Sequence, residues 1–442
     1  MPSNTMRAAT LIAAITLIGI SAAAQTLPCS WPLETTGSGI TNVAYPDTNA
    51  TYWTMPISSD RWQSIVIKGT YPQARFFSFT SYVANGSVAS DNASLVDVDI
   101  NPDSGSSNPF VTSGSGPHDY TITVANTAPN NGSNFLPLGS TRLGWIIYRI
   151  YVPNKDLDRQ AGVPLPVVTL VGKDGLAHTL TECSSRNSTG TVTNLIRNFL
   201  HQRSDLNAAL LQLLGGGADA GITEPAQCQP TPLVSWIPAN TGGYFPNPAN
   251  KYIAIPGLCL SQDQILVVHG KAPVFPDTYN GGPVWEPTGL NLRYWSACNN
   301  NQQLPYPVVA CKSDYETNLD GGYYTYVLSE SDQSDPMAPP SWLPTGATWL
   351  PWGSTTTPNI LILRNMLPQP TFGNSVQAAI DPPNNCAVNN QSSGTPRDQI
   401  VTGGECAQGV MQHYYPVAVY CSKQVFVNEG WQGCLAAAKS GQ

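Results

Sequence analysis

Apolar positions along the chain recur with the two-residue period of half-buried strands or run unbroken between Gly, Pro and Asn turns. RWQSIVIKG (61–69) and ARFFSFTSYV (74–83) are rich in β-branched and aromatic residues and are separated by Tyr71-Pro72. LVDVDI (95–100) alternates, which places Asp97 and Asp99 on one strand face and Val96, Val98 and Ile100 on the other. GWIIYRIYVP (144–153) and LPVVTLV (165–171) continue the series, and Gly172-Lys173-Asp174-Gly175 reads as a hairpin turn. Leu195, Ile196, Phe199 and Leu200, then Leu206, Leu210, Leu213 and Leu214, switch to helical spacing before Gly215-Gly216-Gly217 stops the run. Strands resume from Leu233, and short amphipathic pieces follow at 406–415 and 424–438. No repeat with a short period is visible. The pattern predicts a mainly β protein: a β-sandwich or jelly-roll core, single or as two packed β domains, with a small helical insertion. The expected organisation is an N-terminal β-sandwich over 25–185, a helical insertion and linker over 186–232, and a disulfide-rich β domain with short terminal helices over 233–442.

Composition moves the picture outside the cell. Charged residues make up 11% of the 442, against about 25% in an average soluble domain. With 20 basic and 28 acidic residues the net charge is −8, which argues against nucleic acid as a partner. Arg7, the apolar run 8–20 and Ala22-Ala23-Ala24 read as a signal peptide over 1–24, leaving a mature chain with no integral membrane span. All ten cysteines follow it, and no C-x-x-C occurs, so the expectation is disulfides in an oxidising compartment, extracellular or periplasmic. Cys298 and Cys311 flank a turn-rich stretch and suit a local pair.

Familiar catalytic signatures are missing: no G-x-S-x-G, H-E-x-x-H or P-loop occurs. Asp97, Asp99 and Asp103 resemble part of a calcium loop, but Pro102 stands where the EF-hand needs Gly, so only an irregular calcium site of oxygen ligands is implied. No other cofactor is expected. FPDTYNGGPVWEPTGLNLRYW (275–295) gathers Asp277, Glu286 and Arg293 with Tyr279, Trp285, Tyr294 and Trp295. Aromatic faces beside carboxylates suit carbohydrate binding, and two acids suit glycoside cleavage if the Gly281-Gly282-Pro283 turn brings Asp277 to Glu286. Arg149 and Arg364 interrupt apolar strands, and Arg75 and Arg293 abut aromatic pairs. Buried guanidinium groups need acceptors, so these arginines mark ion pairs across a sandwich or an anionic or sugar ligand.

GWIIYRIYVPNKD (144–156) and SWLPTGATWLPWGSTTTPNILILRNMLPQP (341–370), with TYWTMPISSDRWQSIVIKGTYPQARFFSFTSY (51–82), RYWSACN and DGGYYTYVLS, resemble uncharacterised secreted bacterial envelope proteins of a domain-of-unknown-function superfamily. The resemblance spans about a third of the chain and implies a jelly-roll-type β core and an envelope location. It implies no reaction. The leading functional expectation is an extracellular or envelope binding protein for glycan-like or small organic ligands. A hydrolase using paired carboxylates and a surface assembly protein are the rival classes. The oligomeric state is not legible.

Overall fold

The computed structural model describes residues 29–42, 44–83, 88–89, 93–129, 132–139, 144–184, 186, 233–239, 245–261, 263–284, 289–303, 306–386 and 397–440. The expected signal peptide (1–24) and, apart from Arg186, the expected helical insertion and linker (186–232) lie outside them. The fold is mainly β, with a few small helices near the C-terminus.

The strands form four sheets. In the first half, one sheet runs in the order Leu33–Thr35, Ala50–Ile57, Gly144–Pro153, Ala74–Val83 and Ser94–Val96. The other runs Ala177–Thr179, Val167–Gly172, Trp62–Thr70, Asp119–Ala125 and Phe135–Pro137. Trp53, Phe79 and Tyr148 of the former pack against Ile65, Ile122 and Val168 of the latter, closing a sandwich. The second half repeats the plan. One sheet runs Ile237–Ala239, Asn250–Leu258, Asn359–Pro368, Leu292–Asn301 and Val308–Ser313. Its partner is built on Leu233–Val234, Val417–Ser422, Gln264–Lys271 and Tyr323–Ser329. Both outer sheets even carry one parallel pairing at the same place, Asp119–Ala125 with Phe135–Pro137 and Tyr323–Ser329 with Thr348–Pro351.

The repetition reaches individual residues. Gly69 faces Tyr120 and Gly270 faces Tyr324, and an added Cβ would lie 2.5 Å and 2.7 Å from the respective hydroxyls. Both positions need glycine because the cross-strand tyrosine ring folds over the bare backbone. Val152 and Leu367 end equivalent strands at φ 48° and 45°, and their N–H groups donate to Asn49 and Ala249. The repeat spans half the chain, so a search for short periods passes over it.

Ala74–Val83 and Gly144–Pro153 are buried along almost their whole length. Their sheet has a sandwich core on one face and the second sandwich on the other, where Phe76, Tyr151, Tyr294 and Met366 pack together. Two-sided burial explains the unbroken runs of FFSF and WIIY. Lys423–Ser440 covers the far face of the second outer sheet through Phe426, Trp431 and Cys434. Disulfides join Cys29–Cys183, Cys298–Cys311, Cys386–Cys406 and Cys421–Cys434. Cys259 is disulfide-bonded as well.

One expected strand is corrected. The strand Ser94–Val96 gives way to a 3₁₀ turn at Asp97–Asp99, which buries Asp97 and leaves Asp99 exposed. The two carboxylates therefore do not share a face.

Candidate functional site

The seam between the two inner sheets is built from charged side chains exchanged between the halves. Arg75 Nη1 donates to both Asp314 carboxylate oxygens at 3.0 and 2.9 Å, and Arg75 Nε donates to Thr278 Oγ1 at 2.6 Å. Arg293 returns the contact, with its Nη1 at 2.9 Å from Asp97 Oδ2. Each of the two guanidinium groups also donates to the other's backbone carbonyl at 3.4 Å. Asp97 and Asp314 accept backbone amides too, from Phe77 and Val98 and from Trp295 and Tyr315. Burial pushes the Asp314 carboxyl up to about 6, outweighing Arg75. Burial likewise raises Asp97 against the pull of Arg293.

A second reciprocal pair lies deeper. In each inner sheet a Tyr, an Arg and a Ser stand side by side across three strands: Tyr52, Arg149 and Ser78 in the first, Tyr252, Arg364 and Ser296 in the second. Each guanidinium lies over its tyrosine ring, at 5.8 Å and 5.7 Å. Arg364 reaches across to the Tyr45 carbonyl at 2.7 Å, and Arg149 reaches the Phe245 carbonyl at 3.2 Å. Asp47 lies 3.7 Å from Arg364 and accepts hydrogen bonds from Tyr294 Oη at 2.8 Å and Ser296 Oγ at 2.7 Å.

At one edge of the seam the halves leave an open groove of about 320 Å³. Thr48, Asn49, Asn154 and Asp158 come from the first half, Tyr279 and Tyr315 from the second. The two tyrosine rings are half-buried and stacked, with centroids 4.1 Å apart and planes at 17°. Tyr315 is held through Oη to Asn49 at 3.4 Å, and the Lys155 N–H donates to the Tyr279 carbonyl at 2.9 Å. Arg159, paired to Glu34 at 2.9 Å yet 64% exposed, lines the same groove.

The residues singled out in the sequence are placed as follows. Tyr294 and Trp295 are fully buried, which corrects their reading as ligand-stacking faces: Tyr294 holds Asp47 and Trp295 fills the second core. Arg293 is the Asp97 clamp. Asp277 is exposed and accepts both hydrogen bonds of the Asn280 amide, at 3.0 and 2.9 Å, within a turn rather than a strand hairpin. Trp285 and Glu286 lie outside the described residues. Of the residues named for an irregular calcium site, Asp97 is buried against Arg293, Asp99 is exposed, and Asp103 accepts the Thr121 hydroxyl at 2.8 Å. Among the described residues, the set of potential metal ligands that does converge is Asp47, Cys298 and Cys311, and its sulfurs are joined in a disulfide. Tyr279 belongs to the aromatic cluster visible in the sequence, but its partner Tyr315 does not, because a stack formed between distant loops leaves no spacing signal.

No family model matches the chain, and no curated protein matches it. Among solved structures it is similar to an uncharacterised protein from Burkholderia cenocepacia, at 14% identity and TM-score 0.47, covering 77% of this chain and 79% of that one. A Vibrio parahaemolyticus protein aligns at 10% identity and TM-score 0.36, over 76% of this chain and 87% of its own.

Proposed function

We propose that this is a secreted, disulfide-stabilised binding protein that holds a glycan-like or small organic ligand in the groove between its two sandwiches. The observation that carries the reading is the stacked Tyr279–Tyr315 pair set among Asn49, Asn154, Asp158 and Arg159. Aromatic surface ringed by amide, carboxylate and guanidinium groups is the chemistry that recognises sugar rings and their hydroxyls. Clefts between packed domains are preferred places for such sites. The disulfides support the exported part of the reading, and no helix among the described residues is long and apolar enough to cross a membrane.

The test is a glycan array followed by calorimetry on the hits. Tyr315→Ala and Tyr279→Ala are each expected to weaken binding by about tenfold, the loss of one stacking contact of roughly 1–1.5 kcal/mol, with the melting transition still cooperative. Wild-type protein that binds nothing on the array, or hits indifferent to both substitutions, overturns the proposal.

A further inference from the structure

The two deep arginines are equivalent in position but not in charge balance. Asp47 and Asn247 occupy the same place, three residues before the strands Ala50–Ile57 and Asn250–Leu258. Asp47 Oδ1 accepts the Asn49 N–H, Asn247 Oδ1 accepts the Ala249 N–H, and their carbonyls accept from Ala50 and Asn250. In the Arg364 cluster the carboxylate of Asp47 is matched by Ser296 Oγ and Tyr294 Oη. The equivalent positions in the Arg149 cluster are Asn247, Ser78 and Phe76, so the carboxylate and the hydroxyl that bound it are absent together.

Arg149 is 2% exposed. Its guanidinium donates to Thr80 Oγ1 at 3.0 Å, to Tyr82 Oη and to the Phe245 carbonyl at 3.2 Å, all neutral acceptors. Among the described residues no carboxylate pairs with it. Arg149 Nε, Asn247 Nδ2 and Ser78 Oγ are all buried without a hydrogen-bond partner. Across the seam the equivalent arginine and serine, Arg364 and Ser296, both face the carboxylate of Asp47. A guanidinium does not lose its proton in a protein, and a buried unpaired cation is strongly unfavourable.

We infer that the Arg149 cluster binds a small monovalent anion of chloride size, with Arg149, Asn247 Nδ2 and Ser78 Oγ as its donors. The anion supplies the charge that Asp47 supplies covalently in the other half. A compact halide suits the site, because Phe76 differs from Tyr294, its counterpart, by a single hydroxyl.

Crystals soaked in sodium bromide are expected to show an anomalous peak beside Arg149 and none beside Arg364. In solution, replacing sodium gluconate by sodium chloride at constant ionic strength should raise the melting temperature of the wild type by about 2–4 °C. Asn247→Asp, which installs the carboxylate, should remove that response. A melting temperature indifferent to the anion, or a chloride response that survives Asn247→Asp, overturns the inference. If that variant does not fold, the position of the bromide peak in the wild type decides alone.

Discussion

Arg364 and Arg149 sit on equivalent strands, beside equivalent tyrosines and serines, and reach equivalent carbonyls across the seam, yet among the described residues only Arg364 has a carboxylate within 4 Å. The comparison separates two tasks that a buried arginine can perform. Crossing from one sheet to the other and capping a carbonyl is common to both, and that part is repeated faithfully. Charge compensation is local to one. The tyrosine that holds Asp47 and the phenylalanine that stands in its place are matched to the charge they face, since a hydroxyl aimed at Asn247 would have gained less than one aimed at Asp47. The outer clamps differ from both: Arg75–Asp314 and Arg293–Asp97 exchange charge in both directions.

The comparison breaks most visibly at those outer clamps. Arg75→Met leaves Asp314 buried without its guanidinium, and urea unfolding should show a loss of about 3–5 kcal/mol. Arg364→Met strands Asp47 but leaves its hydrogen bonds from Tyr294, Ser296 and Asn49, so a loss of about 2–3 kcal/mol is expected. Arg149→Met strands no carboxylate. Its cost should be under about 1 kcal/mol, or reversed in sign, and equal losses for the two substitutions would refute the asymmetry. Asn247→Asp sharpens the comparison from the other side and should stabilise the protein by about 1 kcal/mol, more in the Phe76→Tyr background that restores the missing hydroxyl.

The last test is one of pH. Between the ordinary 3.8 and about 6 the folded state holds a proton on Asp314 that the unfolded chain has released. Its contribution to stability is therefore complete below that window and is lost as pH rises through it. Thermal melts from pH 4 to 7 should show wild type losing ground to Asp314→Asn as pH rises. The opposite slope would mean that Arg75, not burial, governs this carboxyl.

Much of the architecture is legible along the chain. The alternation of Ile65 and Ile67 with Ser64 and Val66, and the two-sided apolar runs around Phe77 and Ile146, mark outer and inner strands before any coordinates exist. The buried arginines are legible too, because a charge inside WIIYRIYV or ILILRNML must find acceptors. Their partners are not: Arg75 meets Asp314 across 239 residues and Arg293 meets Asp97 across 196, with no local trace. The misreading of Asp97 has the same origin. Period-two alternation placed it on a solvated face, and a 3₁₀ turn made to serve Arg293 carried it inward.

What the sequence determined by itself is the mainly β character and most of the strands, because hydrophobic period, turn residues and strand propensity act over a few residues. Tertiary structure alone decided which of those elements repeat one another, which carboxylate faces which guanidinium, and that Tyr279 would stack on Tyr315. Those outcomes depend on how two sandwiches meet. Their energies come from burying charge and ring against partners distant in the chain, and such partners are chosen by packing rather than by spacing.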